Sequence, residues 1–221
     1  MATVEKTRYE ITTIGDIPHG EEHQGRVRHR VRQHLGIEAF GVNAMRAVKA
    51  NGQVIGEHAE DGIGSRGNEE LYVVLSGKAT FTVDGEELEA GPGTLVFVRP
   101  GAKRGAVAHE DGTTVLVIGG TAGEAFRISP GELVEPMFDA YRAEDYEEAA
   151  RIVEGIGAAN PGEGIAFFNL ACCESRLGRS DEALEHLARA IEIDGRFREL
   201  AREDDDFEPI RGEPRFKKLT A

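Results

Sequence analysis

The chain lacks the features that would place it in a membrane or an oxidising compartment. No run in its 221 residues is apolar enough to cross a bilayer, and the first ten residues lack the basic and then apolar build of a secretion signal. The two cysteines, Cys172 and Cys173, are adjacent and could not easily bond to each other, which excludes a disulfide framework and indicates a reducing compartment. We therefore expect a soluble cytoplasmic protein.

Positive charge and several catalytic motifs are also scarce. The 40 acidic and 26 basic side chains give a formal net charge of −14, and such a repulsive surface argues against binding to nucleic acid or to an acidic membrane. Neither a GxxxxGK[ST] phosphate loop nor a GxGxxG run is present. Ser65 and Ser76 have no evident histidine and aspartate partners, so a nucleophilic triad is unsupported.

The first half of the chain has the pattern of a β-protein. From about residue 41 to residue 127, short apolar runs alternate with glycine turns, which predicts successive strands. The runs are 73–75, 79–83, 95–98 and 115–118. Asp84-Gly85 and Asp111-Gly112 are both two-residue hairpin signals. Many short strands closed by tight turns predict a sandwich or barrel.

Residues 1–39 are predicted to form an N-terminal arm with a short basic amphipathic helix. In GRVRHRVRQHLG, residues 25–36, Val27, Val31 and Leu35 recur every four positions and would share one helical stripe. We expect this helix to pack across the barrel or against the acidic second half. Nucleic-acid binding is disfavoured because the basic stretch is short and has no interleaved aromatic residues.

The second half, residues 129–221, has a helical repeat. AYRAEDYEEAARIVEGIGAANP and ESRLGRSDEALEHLARAIEIDG superimpose at an offset of 34, with Glu148 on Glu182. This period, with small residues at the helix crossing, resembles the tetratricopeptide repeat over about residues 134–195. Two repeats cannot bury a continuous core alone, so we expect the tail to cap them and the barrel or a second subunit to cover the other end.

The β-half resembles the cupin family, a small jelly-roll barrel of antiparallel strands, over about residues 40–120. Family members show a glycine, five residues, His-x-His, a short spacer, a glutamate, six residues and a glycine. Here Gly52 precedes His58 at that spacing, and Glu70 stands the right distance before Gly77. The resemblance implies that the motif residues point into the barrel as metal ligands.

The departures from the family pattern are at the ligand positions. Glu60 stands in place of the second histidine, and Arg104 occupies the histidine position of a second motif that runs from Gly93. The spacer has grown to nine residues, 61–69, and is rich in glycine. Arginine stays protonated and has no lone pair to offer a metal, so its charge would repel the ion.

Our leading hypothesis is that Arg104 has replaced the metal and pairs with Glu60 and Glu70. The barrel would then be non-catalytic or weakly catalytic and would bind a small polar or anionic molecule, and no cofactor is expected. The ligand-binding residues would be Arg104, Glu70, His58, Glu60 and Tyr72. The repeats would mediate contacts with a protein partner or within a homodimer.

Two other interpretations remain open. In one, His58, Glu60 and Glu70 hold iron, manganese, zinc or nickel in a metal-dependent enzyme of the oxygenase or isomerase type, and His109 could join them if the register shifted. In the other, the barrel is a scaffold without a small-molecule site. Its interior would then be filled, without a cavity, by Tyr72, Val74, Phe81, Val83, Val96 and Val98.

The fold class predicted overall is α+β in two domains. An N-terminal arm, residues 1–39, leads into an antiparallel jelly-roll cupin barrel over residues 40–128. An α-helical array of two tetratricopeptide-like repeats and a capping tail follows over residues 129–221. Neither the ligand nor the protein partner can be named from these patterns.

Overall fold

The computed structural model describes residues 9–63 and 65–221, so the first eight residues of the predicted arm and Gly64 of the long spacer lie outside the described part. The chain divides into a β-unit, which runs to residue 62 and continues over 66–127, and a helical unit of residues 63–65 and 128–221. None of the described helices is long and apolar enough to span a bilayer. The α+β class predicted from the sequence is confirmed.

Two antiparallel sheets build the β-unit. Across the described residues, their strands are β1 (Arg26–His29), β2 (Gly41–Ala47), β3 (Gln53–His58), β4 (Glu69–Ser76), β5 (Ala79–Val83), β6 (Glu86–Ala90), β7 (Leu95–Val98), β8 (Arg104–Ala108) and β9 (Thr114–Gly120). The first sheet has the order β1-β2-β9-β4-β7, and the second has the order β3-β8-β5-β6. The inner faces share an apolar core that includes Val54, Tyr72, Val74, Phe81 and Val115.

One of the two predicted hairpins is confirmed. Asp84 and Gly85 both have positive φ angles, 49° and 88°, and they join β5 to β6 directly, as a type I′ turn requires. The hairpin predicted at Asp111-Gly112 is wrong, because β8 and β9 lie in different sheets. Asp111 Oδ1 instead accepts a hydrogen bond of 2.8 Å from the backbone N–H of Ala50, which ties this turn to the connection between β2 and β3.

The basic stretch after Gly25 begins as a strand, so the predicted helical stripe is wrong. Arg26–His29 forms β1, which pairs with β2, and the helix that follows, α1, is confined to Val31–His34. Val31 and Leu35 pack with the apolar residues Ile17 and Val42. The spacing of four arose because Val27 lies on a short strand and Val31 begins a short helix, so two adjacent elements together imitate the period of one helix.

Helices make up the second unit. Those after α1 in the described chain are α2 (Pro130–Val134), α3 (Phe138–Arg142), α4 (Tyr146–Ala159), α5 (Gly164–Arg176), α6 (Ser180–Ile193), α7 (Phe197–Glu203) and α8 (Pro214–Thr220). α4 and α6 are each 14 residues long and begin at the offset that the sequence alignment gave. Their small residues Ala149 and Ala183 are fully buried, as expected where repeat helices cross.

The first repeat is broken where the second is continuous. α5 runs unbroken over 13 residues, but its counterpart consists of α2, a 3-10 turn at Glu135–Met137 and α3. Pro136 lies in that turn, and proline has no N–H for a helical hydrogen bond and clashes with the preceding turn. The first helix of the first repeat is therefore divided, whereas its counterpart in the second repeat is continuous.

The tail residues cap the helical core as expected. Phe197, Phe207, Ile210 and Phe216 are at most 2% exposed and belong to one cluster with the α5 and α6 side chains. Phe207 packs edge-on against Phe168 with ring centroids 5.4 Å apart. The two cysteines are free and buried, in agreement with a packing role.

Position 77, in the family motif, requires a glycine for two reasons, its backbone angle and the nearness of Thr113. Its φ is +71°, and a Cβ built there would lie 2.8 Å from Thr113 Cα. We predict that Gly77→Ala lowers the free energy of unfolding by roughly 2–5 kcal/mol, the sum of a left-handed backbone cost and an overpacking cost.

Gly93→Ala is the matched control, because Gly93 has a φ of +86° and nothing within 4 Å of a built Cβ. It should lose about 1–2 kcal/mol, measured by urea denaturation followed by circular dichroism. Equal losses in both variants would contradict the proposed contact between residue 77 and Thr113.

Candidate functional site

Strand pairing brings His58 and Arg104 together. They are direct Cα partners where β3 pairs with β8, so their side chains are neighbours on one face. The pairing shifts register twice along β3, between Gln53 and Ile55 and again between Ile55 and His58. These bulges re-aim the end of β3 and leave His58 opposite Arg104.

β4 supplies the acid and the hydroxyl of the cluster. Glu70 and Tyr72 are two residues apart on this strand, so both side chains point to the same face. The Tyr72 hydroxyl donates a hydrogen bond to Glu70 Oε2, and Tyr72 itself is 1% exposed. Glu60, just beyond β3, places its Oε1 3.6 Å from His58 Nε2. The five residues selected from the sequence therefore meet in one place.

Glu70 Oε2 is the atom on which the cluster converges. His58 Nε2 lies 3.3 Å from it and Arg104 Nη2 lies 3.2 Å from it, in addition to the Tyr72 hydroxyl. Burial alone would raise the pKa of Glu70, but the hydrogen bonds from His58 and Tyr72 and the nearby positive charges lower that pKa below its ordinary value. Glu70 is therefore ionised at neutral pH.

Glu70 shifts the pKa values of the titratable side chains around it. The hydrogen bond to Glu70 raises the pKa of His58 above its ordinary value, against the opposing effect of burial. Burial raises the pKa of Glu60, and the charge of Glu70 adds to that rise. Burial and the Glu70 charge also raise the pKa of Tyr72, so its hydroxyl stays protonated and remains a donor.

Arg104 is a buried cation held from three sides. Its side chain has no solvent exposure, Nη1 donates to the Ala102 carbonyl at 2.8 Å, and Nε donates to the Tyr72 hydroxyl at 3.3 Å. Arg104 Nη2 forms its ion pair with Glu70 Oε2 at 3.2 Å without the geometry of a hydrogen bond, and Glu60 Oε2 is buried with no hydrogen-bond partner within the described part of the chain. The cluster thus retains unused donor and acceptor capacity.

A cavity of about 370 Å³ adjoins the cluster, inside the β-unit. His58, Glu70 and Tyr72 line it, whereas Arg104 and Glu60 do not and act on it through their contacts with Glu70 and His58. The remaining lining residues come mostly from the first sheet and from β3, and they include Arg26, Arg28, Asn43, Met45, Ile55 and Val117.

Sequence reasoning missed Arg26, Arg28 and Asn43. The signal for the two arginines was present as the alternation Arg-Val-Arg, whose period of two is that of a strand with one polar face. It was outweighed by the four-residue spacing of Val27, Val31 and Leu35. Asn43 carried no comparable signal.

Arg104 opposes the binding of a metal ion at this cluster. His58, Glu60 and Glu70 each offer a donor atom, and these atoms lie within 4.8 Å of one another. The Glu70 oxygen nearest to His58 already faces the Arg104 guanidinium at 3.2 Å, and a fixed positive charge at that distance opposes a second cation. His109 does not join the set, because its Nε2 lies 2.7 Å from Thr80 Oγ1.

A second group of potential ligands, in the helical unit, is structural. Cys172, Asp204 and Asp206 lie close together, but Asp204 Oδ1 accepts from the Asp206 backbone N–H and the other carboxylate accepts from Tyr141. Burial raises the pKa of the Cys172 thiol far above its ordinary value, which keeps it protonated. These groups cap and anchor the tail.

Comparison with known proteins agrees with the two resemblances. The cupin domain family matches residues 53–120, and the tetratricopeptide repeat family matches residues 143–195. None of the curated proteins matches the chain.

Several solved cupin structures are similar to part of this chain. KdgF from a Halomonas species is 14% identical, with 54% of this chain and 94% of that one covered and a TM-score of 0.41. An RmlC-like cupin from Shewanella frigidimarina is 15% identical, with 53% and 95% covered and a TM-score of 0.41. A cupin protein from Bacteroides fragilis is 23% identical, with 56% and 95% covered and a TM-score of 0.39. The chain thus contains a segment that matches the cupin domain family and, after it, a segment that matches the tetratricopeptide repeat family.

Proposed function

We propose that the cupin barrel binds a small polar or anionic molecule at the cluster of Arg104, Glu70, His58, Glu60 and Tyr72, without a metal and without strong catalytic activity. The observation that carries this proposal is the Arg104 guanidinium, which is fully buried with Nη2 3.2 Å from Glu70 Oε2. A fixed cation thereby takes the position from which an ion would neutralise the carboxylates.

The arrangement suits binding of a polar group. The ionised Glu70 presents acceptor oxygens to the cavity, and the Tyr72 hydroxyl, whose proton is donated to Glu70, can accept a further hydrogen bond. His58 lies beside them, with Nε2 3.3 Å from Glu70 Oε2. Small-molecule sites are typically concave, with a few fixed polar groups among apolar walls, and their volumes begin near 300 Å³. The cavity of about 370 Å³ falls within that class.

A metal-dependent enzyme is the second candidate. It is favoured by the three donors of His58, Glu60 and Glu70 and by the buried Glu60 Oε2, which has no hydrogen-bond partner within the described residues. Three protein ligands can suffice for a catalytic ion. The position of Arg104 disfavours this candidate, because the carboxylate of Glu70 is already paired with a cation.

The scaffold interpretation receives less support. Tyr72, Val74, Phe81 and Val98 are indeed buried, and Val83 and Val96 pack against the same core. That interpretation required an interior without a cavity, however, and a cavity lies against Tyr72.

We propose that the helical repeats bind a protein partner or a second copy of the chain. Repeat arrays of this kind present extended faces for recognition. A homodimer and a cytoplasmic location remain our expectations for the whole protein.

The first prediction concerns metal uptake. Protein purified without a histidine tag should contain background levels of iron, manganese, zinc and nickel, and Arg104→His should gain near-stoichiometric binding, because it removes the opposing charge and adds a fourth ligand. Elemental analysis after incubation with each metal measures both. Arg46→His is the control, since Arg46 is exposed on β2.

Two outcomes would contradict this prediction. No gain of metal by Arg104→His would count against the assignment of the site. Stoichiometric metal in the unaltered protein would favour the enzyme candidate over our proposal.

The second prediction concerns the buried ion pair. Arg104→Met should lower the free energy of unfolding by about 3–5 kcal/mol, because it leaves the charge of Glu70 without its partner. The double variant Arg104→Met/Glu70→Leu should recover much of that loss. Chemical denaturation at pH 7 measures both, with Arg99→Met, at an exposed arginine stacked on Phe97, as control. A double variant no more stable than Arg104→Met would show that the charges are not coupled.

The third prediction concerns pH. Because the folded-state pKa of His58 is raised, its stabilising effect is fully present below the unfolded value of about 6.5 and is lost as the pH rises through the folded value. An NMR titration of the His58 ring should give a pKa above that of an ordinary histidine, and Glu70→Gln should lower it.

Glu57→Gln provides the control, because Glu57 adjoins His58 but pairs with Lys103 at 2.6 Å. It should leave the His58 titration close to that of the unaltered protein. A His58 pKa that is insensitive to Glu70→Gln would mean that the two side chains do not interact in solution.

A further inference from the structure

The cavity has a second polar end, formed by β1 and β2. Arg26 and Arg28 are two residues apart on β1, so both side chains point to the same face, and both line the cavity. His29 faces the other way, where its Nδ1 lies 3.0 Å from the Ile17 carbonyl oxygen. Two guanidinium groups therefore share one wall.

Strand register fixes the spacing of the two ends. Arg28 pairs with Met45 on β2, Asn43 pairs with Val117 on β9, and Val117 pairs with Tyr72 on β4. β1 and β4 are thus three strand spacings apart, which is about 14 Å. The arginines and the cluster around Glu70 stand at opposite ends of one inner sheet face.

The floor between the two ends is apolar. Met45 and Val117 lie between the arginines and Tyr72 on the first sheet, and Ile55 contributes from β3. The volume of about 370 Å³ equals that of about a dozen water molecules in the liquid. A ligand that fills this space would have two polar ends and a short hydrocarbon middle.

The arginine side chains are built into the wall. With its side-chain oxygen turned toward Arg28, Asn43 accepts a hydrogen bond of 2.7 Å from Nη2. Arg26 lies against the backbone of β3, where a Cβ built at Gly56 would be 2.8 Å from Arg26 Nη2. Its Nη1 donates to Gln24 at 3.3 Å. Burial lowers the pKa of Arg26, a desolvation cost that a bound anion would offset.

The carboxylates that line the cavity have other cationic partners. Glu57 pairs with Lys103 at 2.6 Å, and Glu70 pairs with Arg104. The cavity lining thus has two guanidinium groups at one end and the Glu70 carboxylate at the other.

We propose that the ligand is a small hydroxy acid, whose carboxylate is bound by Arg26 and Arg28 and whose hydroxyl is bound by His58 and Glu70. Paired guanidinium N–H groups match the oxygens of a carboxylate. His58 Nδ1 contacts the Gly56 carbonyl at 2.8 Å, and its Nε2 lies 3.3 Å from Glu70 Oε2. A ligand hydroxyl that enters between the two side chains would donate to Glu70 and accept from His58 Nε2 in place of that contact. This inference rests on the proposed function and names the ligand class that the same cavity would select.

Three matched probes test it against the full-length chain by calorimetry. 6-Hydroxyhexanoate has both polar ends, 1,6-hexanediol lacks the carboxylate, and hexanoate lacks the hydroxyl. We expect 6-hydroxyhexanoate to bind at least tenfold more tightly than the diol, because charge-assisted hydrogen bonds are the stronger ones. Hexanoate should show an intermediate affinity.

Variants assign the two ends. Arg26→Gln and Arg28→Gln should each weaken binding of both acids tenfold or more and leave the diol unchanged. Arg46→Gln is the matched control, because Arg46 lies on β2 between Met45 and Ala47 and faces away from them. Should Arg26→Gln fail to fold, two measurements replace it. Arg26→Lys should weaken the binding of both acids, and added salt should weaken the binding of both acids but not that of the diol.

The outcomes separate this inference from the proposed function. Equal affinity for the hydroxy acid and the diol, or no effect of both arginine variants, would overturn the inference while leaving a binding site at Glu70. If binding depends on the arginines but its affinity is unchanged in Glu70→Gln and Tyr72→Phe, the anion site is supported and the proposed role of the cluster is overturned. Failure of all three probes to bind would overturn both.

Discussion

The site depends on a single ion pair inside the barrel, between the guanidinium of Arg104 and the carboxylate of Glu70. Desolvating a charge is costly unless a partner and hydrogen bonds compensate, and Arg104 receives both, from Glu70, Tyr72 and the Ala102 carbonyl. Because the cation is part of the chain, its position is set by the β8 register and not by an exchangeable ion. The hydrogen bonds from His58 and Tyr72 lower the pKa of Glu70, and the charge of Arg104 adds to that effect.

Local patterns in the sequence were sufficient to predict the strands and the motif residues. The runs at 79–83 and 95–98 coincide with β5 and β7, since each is bounded by a turn whose chemistry is local. His58, Glu60, Glu70 and Arg104 were identified from motif spacing, and strand pairing brings them together as that spacing implies.

Features that depend on distant pairing could not be predicted in this way. The turn at Asp111-Gly112 has the composition of a hairpin, and only the assignment of β8 and β9 to different sheets shows that it is not one. Likewise, the valines at 27 and 31 suggested one helix because short elements next to each other can mimic its period. The second polar end of the cavity was missed for the same reason, as it becomes visible only when Arg26 and Arg28 are placed on β1 with their side chains on the inner face of the sheet.

The contact between Arg26 and Gly56 couples two positions that are 30 residues apart in the chain. Gly56 leaves the space in which the guanidinium lies, so any side chain at position 56 would push the arginine out of the wall. In related chains these two sites should therefore covary, with a larger residue at the position of Gly56 accompanied by loss of the arginine. Evolution of a cavity for uncharged ligands could begin with that one glycine.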